Sequence, residues 1–228
     1  MSATRSARAS APVSPMAWVQ RKWLTLVAHT LALTPLLLLV TWYFRDDLGA
    51  DPINTINNMT GRAAIILLAF SLAATPIYIA TGWSKPITVR RALGLYAFLY
   101  ALLHFANFIG LDYALDLNAI LQDTLLSKPY IIVGLGALLI LLALALTSTK
   151  ASMRRLGRNW LRLHRLVYLA GALAALHFYW QAKAAARLDP LIYAAILTAL
   201  LVVRIPPIRH AIVRTRQQLA AKVASTSS

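Results

Sequence analysis

The chain has 228 residues, of which 59% are hydrophobic and 13% are charged, and its mean hydropathy is +0.63. A soluble domain carries about 25% charged residues, so this composition excludes an ordinary soluble protein. There is no cysteine, which excludes disulfides, iron–sulfur clusters, thiolate metal sites and covalent c-type heme attachment. The net charge of +16 lies in short pieces between apolar runs, so we expect no nucleic-acid partner.

Six apolar segments, taken in chain order, are long enough or nearly long enough to cross a bilayer. A spanning helix needs about 20 apolar residues, because the hydrocarbon is about 30 Å thick and each residue rises about 1.5 Å. The predicted spans are Trp23–Phe44, Ala63–Thr81, Ala92–Leu111, Tyr130–Ser148, His164–Gln181 and Pro190–Val203. We therefore predict an all-α fold, a polytopic membrane helix bundle with six transmembrane helices in the lipid bilayer. The transmembrane domain occupies residues 23–204, between a mobile basic tail at 1–22 and a basic tail at 205–228.

The charges between the predicted spans indicate the orientation of the bundle. Short cytoplasmic loops hold an excess of Lys and Arg. With the N-terminus inside, 18 of the 23 basic residues lie on the inner side and five on the outer side. The outer five are Arg45, Arg62, Lys128, Lys183 and Arg187. All seven acidic residues are aspartates on the outer side, so both termini are predicted to be cytoplasmic.

Histidines supply the candidate site, because an ionisable residue within a span is costly and marks a functional position. His104 lies 13 residues beyond Arg91, at the inner end of the third span, and His177 lies 13 residues beyond His164. At helical rise, both lie about 20 Å from the inner side and level with each other on two helices. Two level imidazoles are what a b-type heme with two histidine ligands requires. The alternative for each histidine is an interhelical hydrogen bond.

The other histidines allow more than one interpretation. His164 lies at the inner surface, where a second heme would need another axial partner, because Arg91 occupies the equivalent depth of the third span. His29 could supply that partner or could pack against a neighbouring helix. His210 is expected to be a solvated residue of the basic tail. We find no sequence repeat of fixed period.

A basic and partly aromatic loop follows the fourth predicted span on the inner side. Its candidate residues are Arg154, Arg155, Arg158, Trp160 and Arg162. Arginine binds phosphate through two parallel hydrogen bonds, so the loop could contact a flavin phosphate or a redox partner. The alternative is that these arginines reflect the positive-inside rule and attraction to anionic lipid.

Two stretches resemble a known superfamily. RRALGLYAFLYALLH, at 90–104, and LTSTKASMRRLGRNWLRLHRLVYLAGALAALHFYW, at 146–180, resemble the ferric reductase-like transmembrane superfamily and, more closely, its MsrQ (YedZ) branch. GADPINTINNMTGRAA and SKPYIIVG are similar to that branch too. Members of the branch are heme-binding membrane subunits of periplasmic methionine sulfoxide reductase systems. The resemblance extends from about Trp23 to Arg204.

The resemblance implies cofactors, partners and a location that the spacing does not supply. It implies heme b, one or two copies, associated with His104, His164 and His177, and FMN as a further cofactor. Electrons would come from the quinone pool or a cytoplasmic flavin reductase and pass to a periplasmic molybdopterin-dependent methionine sulfoxide reductase. The location would be the bacterial inner membrane. Unlike many members of the superfamily, this chain has only about 25 residues after its last predicted span, too few for a dinucleotide-binding domain.

Three functions are considered. The first is a membrane electron-transfer subunit that takes electrons at the inner side and gives them to a periplasmic partner, in which substrate is reduced. The second is a self-sufficient cytochrome b-type quinol or ferric reductase. The third is a carrier or structural protein whose histidines only pack helices, and the few charges within spans and the lack of an obvious inverted repeat argue against it.

Overall fold

The computed structural model describes residues 15–122, 128–182 and 188–226, and Asp123, Lys183 and Arg187 lie outside these ranges. Regular structure within these ranges is helical, with no strand. In chain order the helices are α1 (Pro15–Phe44), α2 (Pro52–Thr81), α3 (Lys85–Asn107) with a π-helical turn (Phe108–Asp112), α4 (Leu117–Gln122), α5 (Tyr130–Leu146), α6 (Lys150–Leu156), α7 (Arg158–His164), α8 (Val167–Gln181), α9 (Leu188–Val202) and α10 (Pro206–Thr226). The all-α prediction is confirmed for the described residues.

Three helical segments are long and apolar enough to cross a membrane: Lys22–Phe44, Pro52–Thr81 and Lys85–Asp112. The pairs α5 with α6 and α9 with α10 also qualify if each is one broken span, and their axes bend by 95° and 77°. The 15 residues of α8 extend about 22 Å, less than the roughly 30 Å of the hydrocarbon. The described residues thus hold three candidate spans, or five with the bent pairs, and six remains a prediction.

Helix α2 begins at Pro52, earlier than the predicted start at Ala63. The Asp51 side chain accepts a hydrogen bond from the Asn54 N–H at 3.1 Å, and Pro52 occupies the first turn. Both features start a helix, because a side-chain cap satisfies a free N–H and proline has none to satisfy. The first turns of α2 are polar, so hydropathy did not include them in the predicted span. Their polar residues line the cavity described below.

Two helical hairpins form the centre of the bundle. Helix α2 packs along α3, and α5 packs along α8. The hairpins meet where α3 contacts α5 and where α2 contacts α8. Helix α1 covers α2 and α3, while α9 covers α8 and α2. The core between these helices is apolar and includes Leu68, Leu72, Ala97, Tyr100, Leu141, Ala170 and Leu197.

Tyr100 of α3 inserts its hydroxyl into the backbone of α1 beside Pro35. The side chain is fully buried, and its hydroxyl donates to the Ala32 carbonyl at 2.7 Å and accepts from the Leu36 N–H at 3.0 Å. These two groups are the partners of one α-helical rung, in a region that proline has weakened. No water is at hand in the hydrocarbon to satisfy them, so Tyr100 both completes α1 and fixes it to α3.

Arg204 supplies a missing hydrogen bond in α2 in a similar way. Pro76 lacks an N–H, so the carbonyl of Leu72, four residues earlier, loses its helical partner. Arg204 Nη2 donates to that carbonyl at 2.6 Å, and Nη1 donates to the Tyr168 hydroxyl at 2.7 Å. One guanidinium, placed between α9 and α10, therefore joins both central hairpins.

The predicted basic tail at 205–228 is helical over Pro206–Thr226, as α10. Arg216 donates to the carbonyls of Tyr78 and Ile79 at 3.0 and 3.1 Å. These carbonyls lie in the last turn of α2, where the helix dipole favours a cation. Gly82 ends α2 in the left-handed conformation, with φ 77°. Helix α10 is thus held against the end of α2.

We expect Tyr100→Phe to lower the free energy of unfolding by about 1–3 kcal/mol, because it leaves a buried N–H and a buried carbonyl without their bridge. Equilibrium unfolding in mixed detergent micelles would measure the change. Tyr43→Phe is the control, since Tyr43 is 65% exposed. Equal stability of the two variants would contradict the bridging role of Tyr100.

Candidate functional site

His104 of α3 and His177 of α8 meet in the centre of the bundle. Their ring centroids are 6.1 Å apart, and the ring planes are inclined by 84°. The two helices belong to different hairpins and are not neighbours in the chain. The structure thus brings together the two histidines that the sequence predicts to lie level on two helices.

Each imidazole is oriented by a backbone carbonyl of the other helix in its own hairpin. Nδ1 of His104 lies 3.0 Å from the carbonyl oxygen of Asn57, and Nδ1 of His177 lies 2.8 Å from that of Tyr130. A carbonyl can only accept, so Nδ1 carries the proton in both rings. The lone pair of each neutral ring is then on Nε2, which is the arrangement that metal-binding histidines show.

The separation of the rings fits two axial ligands on one iron. A metal–imidazole bond is about 2.0 Å and the nitrogen lies about 1.1 Å from the ring centroid, so two opposed ligands have centroids about 6.2 Å apart. Among the residues that the structure describes, no group of three or more His, Asp or Glu side chains could hold a bare metal ion. A porphyrin supplies four nitrogens itself and needs two more ligands. The pair therefore fits a heme better than an isolated metal.

Two glycines make room for the rings. A Cβ atom at Gly61 would lie 3.2 Å from Nδ1 of His104, and one at Gly134 would lie 2.6 Å from Nδ1 of His177. Each glycine follows its carbonyl residue, Asn57 or Tyr130, by one helical turn. Each imidazole thus rests on a helix wall without a side chain and bonds to the carbonyl beside it.

The two half-sites are an internal repeat that the sequence interpretation missed. Asn57, Gly61 and His104 are followed 73 residues later by Tyr130, Gly134 and His177. The segments AFLYALLHF (97–105) and AGALAALHF (170–178) share the pattern A-x3-A-x-L-H-F at that spacing. The hairpins run in the same order, so this is a parallel repeat. A search at a spacing of 73, rather than at short periods, would have found it.

A cavity of about 570 Å³ lies beside the two histidines, within the range of cofactor pockets. At one end, where α2 and α5 begin and α3 and α8 end, its wall is polar; we call this the polar end. The polar-end residues are Asp51, Asn54, Asn57, Asn58, Arg62, Asp112, Tyr113, Lys128 and Gln181. Deeper along the helices the wall is apolar, with Ile65, Leu68, Ala101, Leu138, Leu141 and Ala174.

Asn57, one of the residues that line the cavity, carries a buried acceptor without a partner. The side-chain oxygen of Asn57 is buried and receives no hydrogen bond from any described residue. A buried amide oxygen left unpaired costs free energy, and in native proteins such groups face a ligand or water. The two histidines, the apolar depth and the polar end fit a large, mainly apolar cofactor with a polar edge.

Comparison with known proteins identifies the family. A model of the family "Ferric reductase like transmembrane component" matches residues 60–175. The heme-binding subunit MsrQ of a protein-methionine-sulfoxide reductase from Xanthomonas axonopodis pv. citri (strain 306) is 47% identical over 182 residues, 77% of this chain and 82% of that protein. The chain belongs to the MsrQ family of ferric reductase-like transmembrane proteins.

Other MsrQ proteins match to a similar extent. The MsrQ protein of Rhodospirillum rubrum is 46% identical over 176 residues, 75% of this chain and 84% of that protein. That of Xanthomonas campestris pv. campestris (strain 8004) is 45% identical over 180 residues, 76% of this chain and 81% of that protein. The resemblance drawn from the sequence alone is confirmed.

The other predicted site residues lie away from the central pair. His164 Nε2 is 3.1 Å from Thr147 Oγ1, and the His164 ring stacks on Trp160 with centroids 3.9 Å apart. His29 Nδ1 is 2.9 Å from the Tyr96 hydroxyl, which is the packing alternative for His29. The candidate arginines of the basic loop are exposed, Arg154 and Arg155 on α6 and Arg158 and Arg162 on α7, and His210 is exposed on α10. His29 and His164 therefore bond to different partners.

We expect Gly134→Ala to weaken hemin binding at least about tenfold, because the new methyl group displaces the His177 ring. Gly61→Ala should have a smaller effect, since the approach there is 3.2 Å rather than 2.6 Å. Titration of hemin into apoprotein in detergent measures both. Gly136→Ala is the control on the same helix, where a Cβ would lie 3.7 Å from Leu173. Equal affinity of the Gly134 and Gly136 variants would refute the steric requirement.

Proposed function

We propose that this chain is the heme b-binding membrane electron-transfer subunit of a methionine sulfoxide reductase system, in which His104 and His177 would hold the heme iron. The observation that carries the proposal is the pair of imidazoles 6.1 Å apart, each with Nδ1 bonded to a carbonyl. The printed names of the related MsrQ proteins, heme-binding subunits of protein-methionine-sulfoxide reductase, support the same function.

The residues of the site have separate tasks. The carbonyls of Asn57 and Tyr130 fix the tautomer of each histidine and present Nε2 as the ligand atom. Leu68, Leu138 and neighbouring apolar residues exclude water from the inner part of the cavity. A bound heme supplies a one-electron redox centre whose potential the surrounding protein adjusts.

The proposed electron path runs from the cytoplasmic side to the periplasm. The donor we propose is the quinone pool or a cytoplasmic flavin reductase, and the acceptor is a periplasmic molybdopterin-dependent methionine sulfoxide reductase that repairs oxidised proteins. FMN and a second heme near His164 belong to the same proposal. In the proposed orientation the His164–Trp160 stack lies on the inner side, and the exposed arginines of α6 and α7 beside it support a contact there with a donor or a flavin phosphate.

The proposed topology has six spans in the bacterial inner membrane with both termini cytoplasmic. The distribution of basic residues supports this orientation. It places the polar end of the cavity, which opens beside the start of α2 and the end of α3, at the periplasmic side. The central histidine pair would then lie close to the periplasmic acceptor.

The purified protein is expected to show Soret and α bands of low-spin b-type heme after reduction with dithionite. His104→Gly and His177→Gly should each abolish the low-spin bands, and added imidazole should restore them by occupying the vacated ligand position. His210→Gly, an exposed position, is the control. Reduced-minus-oxidised absorption spectra measure the outcome. A colourless wild-type preparation from heme-replete cells, or variants with unchanged spectra, would overturn the proposed function.

The absence of native cysteine allows a direct test of topology. Asp47→Cys, before α2, should react in intact spheroplasts with a membrane-impermeant maleimide. Gln218→Cys, on α10, should react only after the membrane is permeabilised. Both positions are exposed, so accessibility reports the side of the membrane. Labelling of both positions in intact spheroplasts would contradict the proposed orientation.

A further inference from the structure

Arg62 is a charged side chain within the candidate span Pro52–Thr81, and the histidine pair does not explain its role. It follows Gly61, the glycine against which the His104 ring rests, and it lines the cavity. A charge within a span is costly and by default functional. Arg62 lies ten residues beyond Pro52, about 15 Å along α2. Its Cβ points toward the start of the helix, so the side chain extends toward the polar end.

Asp189 holds the guanidinium of Arg62 at that end. Arg62 Nη2 and Asp189 Oδ2 are 2.8 Å apart, and the two side chains are 53% and 47% exposed. An ion pair this exposed contributes little stability by itself. Only Nη2 bonds to a described residue, which leaves Nε and Nη1 as donors. Asp189 thus positions the Arg62 guanidinium at the cavity wall and leaves some of the guanidinium donors available for a ligand.

The shape of heme b determines where its charged edge can lie. The porphyrin carries two carboxylates on one edge, and burying a carboxylate among apolar side chains is prohibitive. The apolar depth of the cavity therefore excludes that edge, and the polar end accepts it. The charged side chains that line the polar end are Asp51, Arg62, Asp112 and Lys128.

Arg62 is the best placed of these groups to bind a carboxylate. Asp51 and Asp112 repel one, and Asp51 already caps α2. Lys128 donates to the Tyr113 hydroxyl at 2.8 Å. Arg62 offers a planar pair of donors that matches a carboxylate. In the repeat, Leu135 occupies the position equivalent to Arg62, so this arginine has no counterpart in the second hairpin.

We infer that Arg62, held by Asp189, binds a carboxylate of the porphyrin at the polar end of the cavity and raises the reduction potential of the heme. The inference rests on the proposed function, because it takes the heme between His104 and His177 as given. Asp189 acts through Arg62 and is a positioning residue. The pair sets the potential because one side chain contributes a positive charge and the other offsets it.

The two members of the ion pair should shift the potential in opposite directions. Reduction adds an electron, so a nearby positive charge favours the reduced form. Arg62→Gln removes that charge and should lower the midpoint potential, whereas Asp189→Asn leaves Arg62 uncompensated and should raise it. A purely structural clamp between α2 and α9 would be broken equally by either change. Opposite signs therefore identify an electrostatic role.

Spectropotentiometric titration of the heme-loaded full chain in detergent tests the inference. Arg45→Gln is the matched control, because Arg45 lies on the same side of the protein and does not line the cavity. Transfer of heme to apomyoglobin should be at least about tenfold faster for Arg62→Gln than for the control, as expected for loss of a charge-assisted hydrogen bond. Arg62→Lys keeps the charge, so its potential should stay near that of the wild type while its heme transfer accelerates.

The outcomes separate this inference from the proposed function. Shifts of the same sign in Arg62→Gln and Asp189→Asn, or no shift in either, would overturn the assignment of Arg62 while the two-histidine spectrum of the wild type still stood. A wild type without heme would instead remove the proposed function. If Arg62→Gln does not fold, the pair Asp189→Asn and Arg62→Lys decides: an unchanged potential in the first and unchanged heme transfer in the second would refute the inference.

Discussion

The orientation of two imidazoles is the constraint on which the centre of this protein depends. A histidine side chain rotates about two bonds, so two rings face each other only if each is fixed from behind. Here the fixing group is a carbonyl one turn before a glycine, in Asn57 with Gly61 and in Tyr130 with Gly134. The carbonyl sets the tautomer and the glycine sets the distance. The two helices of each hairpin therefore have to be aligned, in rotation and along their axes, to within a fraction of a helical turn.

The surrounding helices stabilise that pairing at positions where proline weakens the backbone. Tyr100, one turn before His104, bonds to α1 beside Pro35, and Arg204 bonds to the Leu72 carbonyl that Pro76 leaves free. In hydrocarbon no water is available to hydrogen-bond an unpaired backbone group. Each of these side-chain hydrogen bonds therefore also holds two helices together strongly. Both sets of hydrogen bonds involve helices of the central hairpins. The outer helices α1 and α9 therefore help to fix the helices that carry the histidine pair.

Part of this arrangement could be predicted from the sequence and part could not. Counting residues from the inner ends of two spans placed His104 and His177 level, because helical rise is constant. The same reasoning could not find Asn57 or Tyr130. Every residue has a backbone carbonyl, and the rotation of the helices about their axes decides which carbonyl faces the histidine. Hydropathy also missed the first turns of α2, whose polar residues line a cavity rather than end a helix. The repeat was visible in the sequence but requires comparison over 73 residues.

The repeat is closest around the histidine pair and diverges toward the other end of the bundle. At the spacing of 73 residues, Arg91 is matched by His164. The first hairpin turns directly from α2 into α3 at Gly82, whereas the second inserts α6 and α7 after a bend of 95°. The two hairpins are thus alike in the half that holds the pair of rings. The other half differs: among the described residues the second hairpin carries α6, α7 and the His164–Trp160 stack, while exposed arginines occur in both hairpins, at Arg90 and Arg91 in the first and on α6 and α7 in the second.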